Sequence, residues 1–182
     1  PRVPGELVVL GGGKGRDARA RGNREPCEAG PGREKQESAA REGGHLRDFE
    51  GFQNLTRKAA PHVVLPTTAG TGSEVTYVAV IKDHAQHRKL LFGDYNILPD
   101  AAILDPELTA GLPPSLTAAT GMDALSHAIE AMHSAQREPI ADALALHAIR
   151  LVRDALPRCV AEPGDLAARG AQLLASCMAG AA

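Results

Sequence analysis

The segment over residues 11–45 most restricts what this chain can fold into, because it contains no valine, isoleucine, leucine, methionine, phenylalanine or tyrosine. Its few apolar side chains are alanines and Cys27, set among arginine, glutamate, glycine and proline. Such a segment cannot bury enough apolar surface to offset the entropy lost on ordering. We therefore expect residues 14–45 to be disordered or aberrant in packing, and the core to come from the rest of the chain.

The charged residues of this segment indicate a solvated linker rather than a nucleic-acid interface. Acidic residues alternate with the arginines, and no aromatic side chain is present for stacking on bases. The whole chain carries a formal net charge of −2, which also argues against nucleic acid as a partner. No apolar run is long enough to span a membrane, and residues 1–9 lack the pattern of a secretory signal.

Cysteine usage points to a cytoplasmic location. Cys27, Cys159 and Cys177 are far apart in the sequence and form no CxxC pair. We expect reduced thiols rather than a disulfide framework.

Short apolar runs predict strands in the first part of the chain. The run over residues 6–10 ends on glycines and is typical of a buried parallel strand. Further strands are predicted at 62–65, 75–81, 90–92 and 101–104.

After Pro114 the pattern is helical to the end of the sequence. Apolar residues at spacings of three and four predict one buried face, formed by Met122, Leu125, Ile129 and Met132. Pro139 suits the first turn of a second helix, and Pro157 should kink or end that helix. A third helix is predicted over residues 166–179. The predicted fold class is α/β followed by all-α, with a partial α/β domain over 1–110 and a partial helical domain over 111–182.

Two glycine-containing loops follow predicted strands. Residues 11–13 are three glycines, which suit either a simple turn or close approach of the backbone to a phosphate. Residues 66–74 read PTTAGTGSE and combine two glycines with four hydroxyl side chains. That loop suits a phosphate or ribose, with Gly72 expected to allow close approach of the ligand, although hydroxyl-rich capping loops share this composition.

The helix over residues 120–130 contains a possible half of a metal site. Asp123 and His127 are four residues apart and so lie on one helix face, where a carboxylate and an imidazole can bind the same divalent cation. Glu130 shares that face. The same spacing also occurs in surface ion pairs. Gly121 lies two residues before Asp123, and a glycine within a helix favours close approach of a ligand or another backbone.

Together these motifs resemble one family. The run PTTAGTGSE at 66–74, then Arg88 and Lys89, then LPDAAILDPEL at 98–108 and ATGMDALSHAIE at 119–130 is similar to the iron-containing (group III) alcohol dehydrogenases. The resemblance implies the dehydroquinate synthase-like fold, with part of a Rossmann-like dinucleotide-binding domain followed by the first helices of a C-terminal helical domain. It implies hydride transfer between an alcohol and NAD or NADP, assisted by Fe²⁺ or Zn²⁺.

The resemblance also carries residue roles to matching positions. Asp123 and His127 match two of four metal ligands. The positions that match cofactor-binding residues are Gly12, Gly13, Thr67, Thr68, Thr71 and Lys89.

The sequence departs from the family pattern in ways that limit the expected activity. The family's other two metal ligands are histidines that would follow Ala182, and its first strands would precede Pro1. We therefore expect this chain to be a fragment that lacks its start and its C-terminal half and is inactive in this form. We expect the full protein to act on a small alcohol or aldehyde, and it could form a homo-oligomer.

The same residues are also compatible with three other functions. One is a hydroxyacid–oxoacid transhydrogenase or glycerol dehydrogenase relative, one a lyase like dehydroquinate synthase, and one a non-catalytic remnant.

Overall fold

The computed structural model describes residues 8–11, 46–58, 60–83 and 86–182, with backbone only for the first range. Gly12, Gly13 and the predicted aberrant segment 14–45 lie outside the described residues. Within the described part, strands come first and long helices follow, which confirms the α/β-then-α fold class.

The first sheet is small and mixed. It has the order β1 (Val8–Gly11), β3 (His62–Leu65) and β6 (Ala101–Ala102). β3 and β6 are parallel, but β1 runs antiparallel to β3, so the expectation of a parallel first strand was wrong. The expectation was based on an apolar run alone, and such a run indicates that a strand is buried but does not fix its direction.

The second sheet also has three strands, in the order β2 (Gly51–Phe52), β5 (Arg88–Gly93) and β4 (Val78–Asp83). β4 and β5 are an antiparallel pair, and β2 lies parallel to β5. The predicted strand at 75–81 begins later than expected because residues Ser73–Val75 form a turn of 3-10 helix.

Three long helices make the second half of the structure. After the short α1 (Glu107–Ala110) come α2 (Pro114–His133), α3 (Pro139–Ala161) and α4 (Leu166–Ala181), which pack on one another. The side chain of Glu138 caps α3 by accepting from the backbone N–H of Ala141 at 2.8 Å, and Pro139 occupies the first turn as predicted. α3 continues through Pro157 to Ala161, so the proline does not end it.

The buried face of α2 differs from the predicted one. Met122 and Ile129 are 52% and 43% exposed, whereas the buried positions of α2 are Thr117, Gly121, Ala124 and Ala128. Small side chains let neighbouring helices approach closely, and a Cβ at Gly121 would collide with Leu156 of α3. Gly121 therefore makes room for a helix rather than for a ligand. Among the described residues, no helix has the length and hydropathy of a membrane span.

Candidate active site

The loop over residues 66–74 presents its hydroxyl groups to an open cleft. It leaves the buried strand β3, in which Val64 is fully buried, and passes between the two halves of the structure. All four hydroxyl side chains of the loop border the cleft: the predicted cofactor-binding residues Thr67, Thr68 and Thr71, and also Ser73. Hydroxyls at this density can donate to and accept from phosphate or ribose oxygens.

The two glycines of this loop face the helices, not the cleft. A Cβ at Gly70 would lie 2.6 Å from the carbonyl oxygen of Thr120 in α2, and one at Gly72 would lie 2.6 Å from Cα of Gly180 in α4. Gly72 also has a left-handed backbone, with φ of 59°. The expectation that Gly72 allows close approach of a ligand was therefore wrong: the glycine allows close approach of a helix.

The opposite side of the cleft is formed by one face of α2. His127 Nε2 lies 3.7 Å from Asp123 Oδ2, and His127 Nδ1 lies 4.0 Å from Glu130 Oε2. The side chains of Asp123 and His127 are 45% and 41% exposed, so both are open to a ligand in the cleft.

The hairpin of β4 and β5 supplies the third wall. Lys89 in β5 borders the cleft, as do the first residues of β4. Two tyrosines stand beside it: the ring centroids of Tyr77 and Tyr95 are 4.8 Å apart and their planes are inclined by 38°.

The cleft, of about 1340 Å³, brings together every predicted site residue that the structure describes. These residues are Thr67, Thr68, Thr71, Lys89, Asp123 and His127. The positions of Gly12 and Gly13 are not among the described residues, so their roles stay predictions.

Comparison with known proteins places this arrangement in a family. The profile described as iron-containing alcohol dehydrogenase matches residues 36–106, and that of the Fe-containing alcohol dehydrogenase family, C-terminal, matches 117–182. The chain belongs to the iron-containing alcohol dehydrogenase family. A curated relative, the NAD-dependent methanol dehydrogenase of Bacillus methanolicus, is 42% identical over 97% of this chain and 42% of its own length.

Solved structures from this family have the same fold as the chain. Sulfoacetaldehyde reductase from Bifidobacterium kashiwanohense, in complex with NAD⁺, matches with a TM-score of 0.74 and 40% identity, over 81% of this chain and 40% of that one. Alcohol dehydrogenase from Oenococcus oeni matches with a TM-score of 0.80 and 33% identity, over 85% and 40%. The chain thus spans about two-fifths of the length of these members of the iron-containing alcohol dehydrogenase family.

The donor groups on α2 fit part of the metal site expected for an iron-containing alcohol dehydrogenase. One carboxylate and one imidazole suit Fe²⁺ or Zn²⁺. No cluster of three or more His, Cys, Asp or Glu side chains suitable for a metal occurs among residues 46–58, 60–83 and 86–182. The described residues therefore offer two ligands, one turn apart, rather than a complete set.

Several cleft residues were not predicted from the sequence. Thr120 borders the cleft one turn before Asp123, and its position could have been found by extending the same helix face backwards by three residues. Tyr77 and Tyr95 gave no such signal, because they meet only when the hairpin closes.

Glu74 is the buried carboxyl group at the end of the 66–74 loop. It is 3% exposed, and its Oε1 has no hydrogen-bond partner in the described part of the chain. Burial raises the pKa of the Glu74 carboxyl above its usual value of 4.5. Between the unfolded and the folded pKa the folded state binds more protons, so this group lowers stability as pH rises through that range.

Replacing Glu74 by glutamine should therefore stabilise the chain at high pH. We expect Glu74→Gln to raise the melting temperature at pH 8 by about 3 °C, from roughly 1 kcal/mol of relieved desolvation. The gain should vanish at pH 3, well below the usual pKa of 4.5, where the acid is protonated in both states. Circular dichroism melts at both pH values measure this, with the exposed Glu107→Gln as control. A pH-independent difference would contradict the assignment.

Proposed function

We propose that this chain forms the cofactor- and metal-facing walls of an NAD(P)-dependent, metal-dependent alcohol dehydrogenase. One observation carries the proposal: the hydroxyl-bearing loop, Lys89 and the Asp123–His127 face border the same cleft. The names of the relatives support it, since they include an NAD-dependent methanol dehydrogenase and an NAD⁺ complex of an aldehyde reductase.

The polar loop suits the nucleotide. Thr67, Thr68 and Thr71 would hydrogen-bond ribose or phosphate oxygens. Lys89, on β5, would donate a charge-assisted hydrogen bond to the cofactor near the nicotinamide ribose. These polar groups lie on the 66–74 loop and on β5, so they would hold the nucleotide from two sides of the cleft.

The face of α2 suits a divalent cation. Asp123 and His127 would contribute two ligands for Fe²⁺ or Zn²⁺. When bound, such a cation supplies Lewis acidity that lowers the pKa of an alcohol hydroxyl, while the nicotinamide supplies the hydride acceptor. The residues of this chain would orient both groups around the same cleft, with a small alcohol or aldehyde as substrate.

The nucleotide half of the proposal can be tested on the chain itself. We expect it to bind NADH, and Lys89→Ala to weaken binding about tenfold, since a charge-assisted hydrogen bond contributes about 1.5 kcal/mol. Titrations followed by NADH fluorescence measure the dissociation constant. Lys82 lies directly opposite Lys89 in the hairpin but does not border the cleft, so Lys82→Ala is the matched control. Equal losses in the two variants, or no NADH binding, would refute the proposal.

A further inference from the structure

One face of α4 carries polar and small residues towards the loop over residues 66–74, which the proposed function makes the cofactor loop. Gln172, Ser176 and Gly180 are spaced by four, so they follow one another along a single side of the helix. Gln172 and Ser176 are 2% and 1% exposed. Of the seven buried residues of α4, four are apolar (three alanines and a leucine) and three are polar, namely Arg169, Gln172 and Ser176. Each buried polar side chain needs a reason.

These residues contact the backbone of the loop. Gln172 Nε2 donates to the carbonyl oxygen of Ala69 at 3.4 Å, and the backbone N–H of Gly72 donates to Ser176 Oγ at 3.3 Å. One turn further on, the backbones of Gly180 and Gly72 pack directly on each other. α4 thus holds the loop at both ends of the segment 69–72.

The other side of the loop rests on α2. Gly70 packs against Thr120, whose hydroxyl donates to the carbonyl oxygen of Leu116 at 2.9 Å. Thr120 precedes Asp123 by three residues on the face that borders the cleft. The backbone of the loop is therefore held between two helices, while its hydroxyl side chains point to the cleft.

We infer that Gln172 and Ser176 are positioning residues, which set the cofactor loop in its ligand-binding conformation without touching the cofactor. The inference rests on the proposed function, because it takes the loop to be a nucleotide site. A purely apolar contact would pack α4 equally well, and Gln172 Oε1 has no hydrogen-bond partner in the described part of the chain. Hydrogen bonds with these buried side chains fix the orientation of the loop backbone. A loop that is already fixed loses less entropy when it binds a ligand.

The test separates affinity from stability in the 182-residue chain. Ser176→Ala removes the acceptor for Gly72, and Gln172→Leu keeps volume but removes the donor to Ala69. We expect each variant to weaken NADH binding about fivefold, measured by NADH fluorescence at a temperature where circular dichroism shows the fold intact. Ser126→Ala, on the exposed side of α2, is the matched control and should bind like wild type.

A second measurement covers a variant that folds poorly. Hydrogen exchange followed by mass spectrometry should speed up in peptides containing residues 67–73 in Ser176→Ala, and stay unchanged in peptides from α3. Unchanged NADH affinity in both variants would overturn the inference alone. Lack of NADH binding by the wild-type chain would overturn the proposed function and the inference with it.

Discussion

Metal analysis of the 182-residue chain after dialysis should find far less than one equivalent of Fe²⁺ or Zn²⁺, and an assay with alcohols and NAD(P) should detect no turnover. Asp123 and His127 provide two ligands, and no group of three or more His, Cys, Asp or Glu side chains that could hold a metal occurs among the described residues. Catalytic zinc sites have three protein ligands around an open position, so a pair one helical turn apart binds weakly.

Extending the chain tests whether added ligands restore metal binding and activity. A version joined to the matching C-terminal part of a relative should regain metal and alcohol dehydrogenase activity together. In that version, Asp123→Ala or His127→Ala should lower kcat/KM by about a thousandfold, because a Lewis-acid metal contributes several kcal/mol. His133→Ala, at the end of α2 and outside the cleft, is the control and should stay active. Stoichiometric metal in the unextended chain, or an active His127→Ala enzyme, would contradict the assignment.

Gly72→Val should destabilise the fold strongly, because it combines backbone strain with a steric clash. A β-branched residue at a φ of 59° costs about 1–2 kcal/mol. Its Cβ would also lie 2.6 Å from the Cα of Gly180 and 2.8 Å from the carbonyl oxygen of Ser176, both backbone atoms of α4. Such overpacking costs roughly 1–3 kcal/mol more.

We therefore expect a melting temperature about 10 °C below that of the wild type, measured by circular dichroism. Loss of NADH affinity would follow from displacement of the loop. Gly111→Val is the matched control, because Gly111 has a φ of −81° and a Cβ added there would meet no atom within 4 Å. A melting temperature equal to that of Gly111→Val would show that the loop does not rest on α4.

The sequence predicted the parts of the site that are encoded locally. The strand at 62–65 and the following hydroxyl loop depend on neighbouring residues, and the Asp123–His127 pair depends only on the pitch of one helix. These features depend on local sequence, so spacing predicts which of these side chains share a face or a loop, while their roles come from the resemblance to the family.

The features that depend on packing between elements could not be predicted in the same way. The sequence does place Met122 and Ile129 on one apolar stripe, but the helices approach so closely that they bury the small residues of α2 instead. Gly70 and Gly72 are typical of a phosphate loop by their context, and only the positions of α2 and α4 reveal that they make room for helices. The polar residues of α4 likewise lie over a hundred positions from the loop that they contact.

The neighbouring rings of Tyr77 and Tyr95 give this protein a built-in optical reporter. The sequence has two tyrosines and no tryptophan, and both tyrosines border the cleft. Ultraviolet emission excited at the tyrosine band therefore originates from one wall of this cleft, without the background that scattered fluorophores create in most proteins. Changes in its intensity or lifetime report what enters or leaves the cleft, and no label has to be attached.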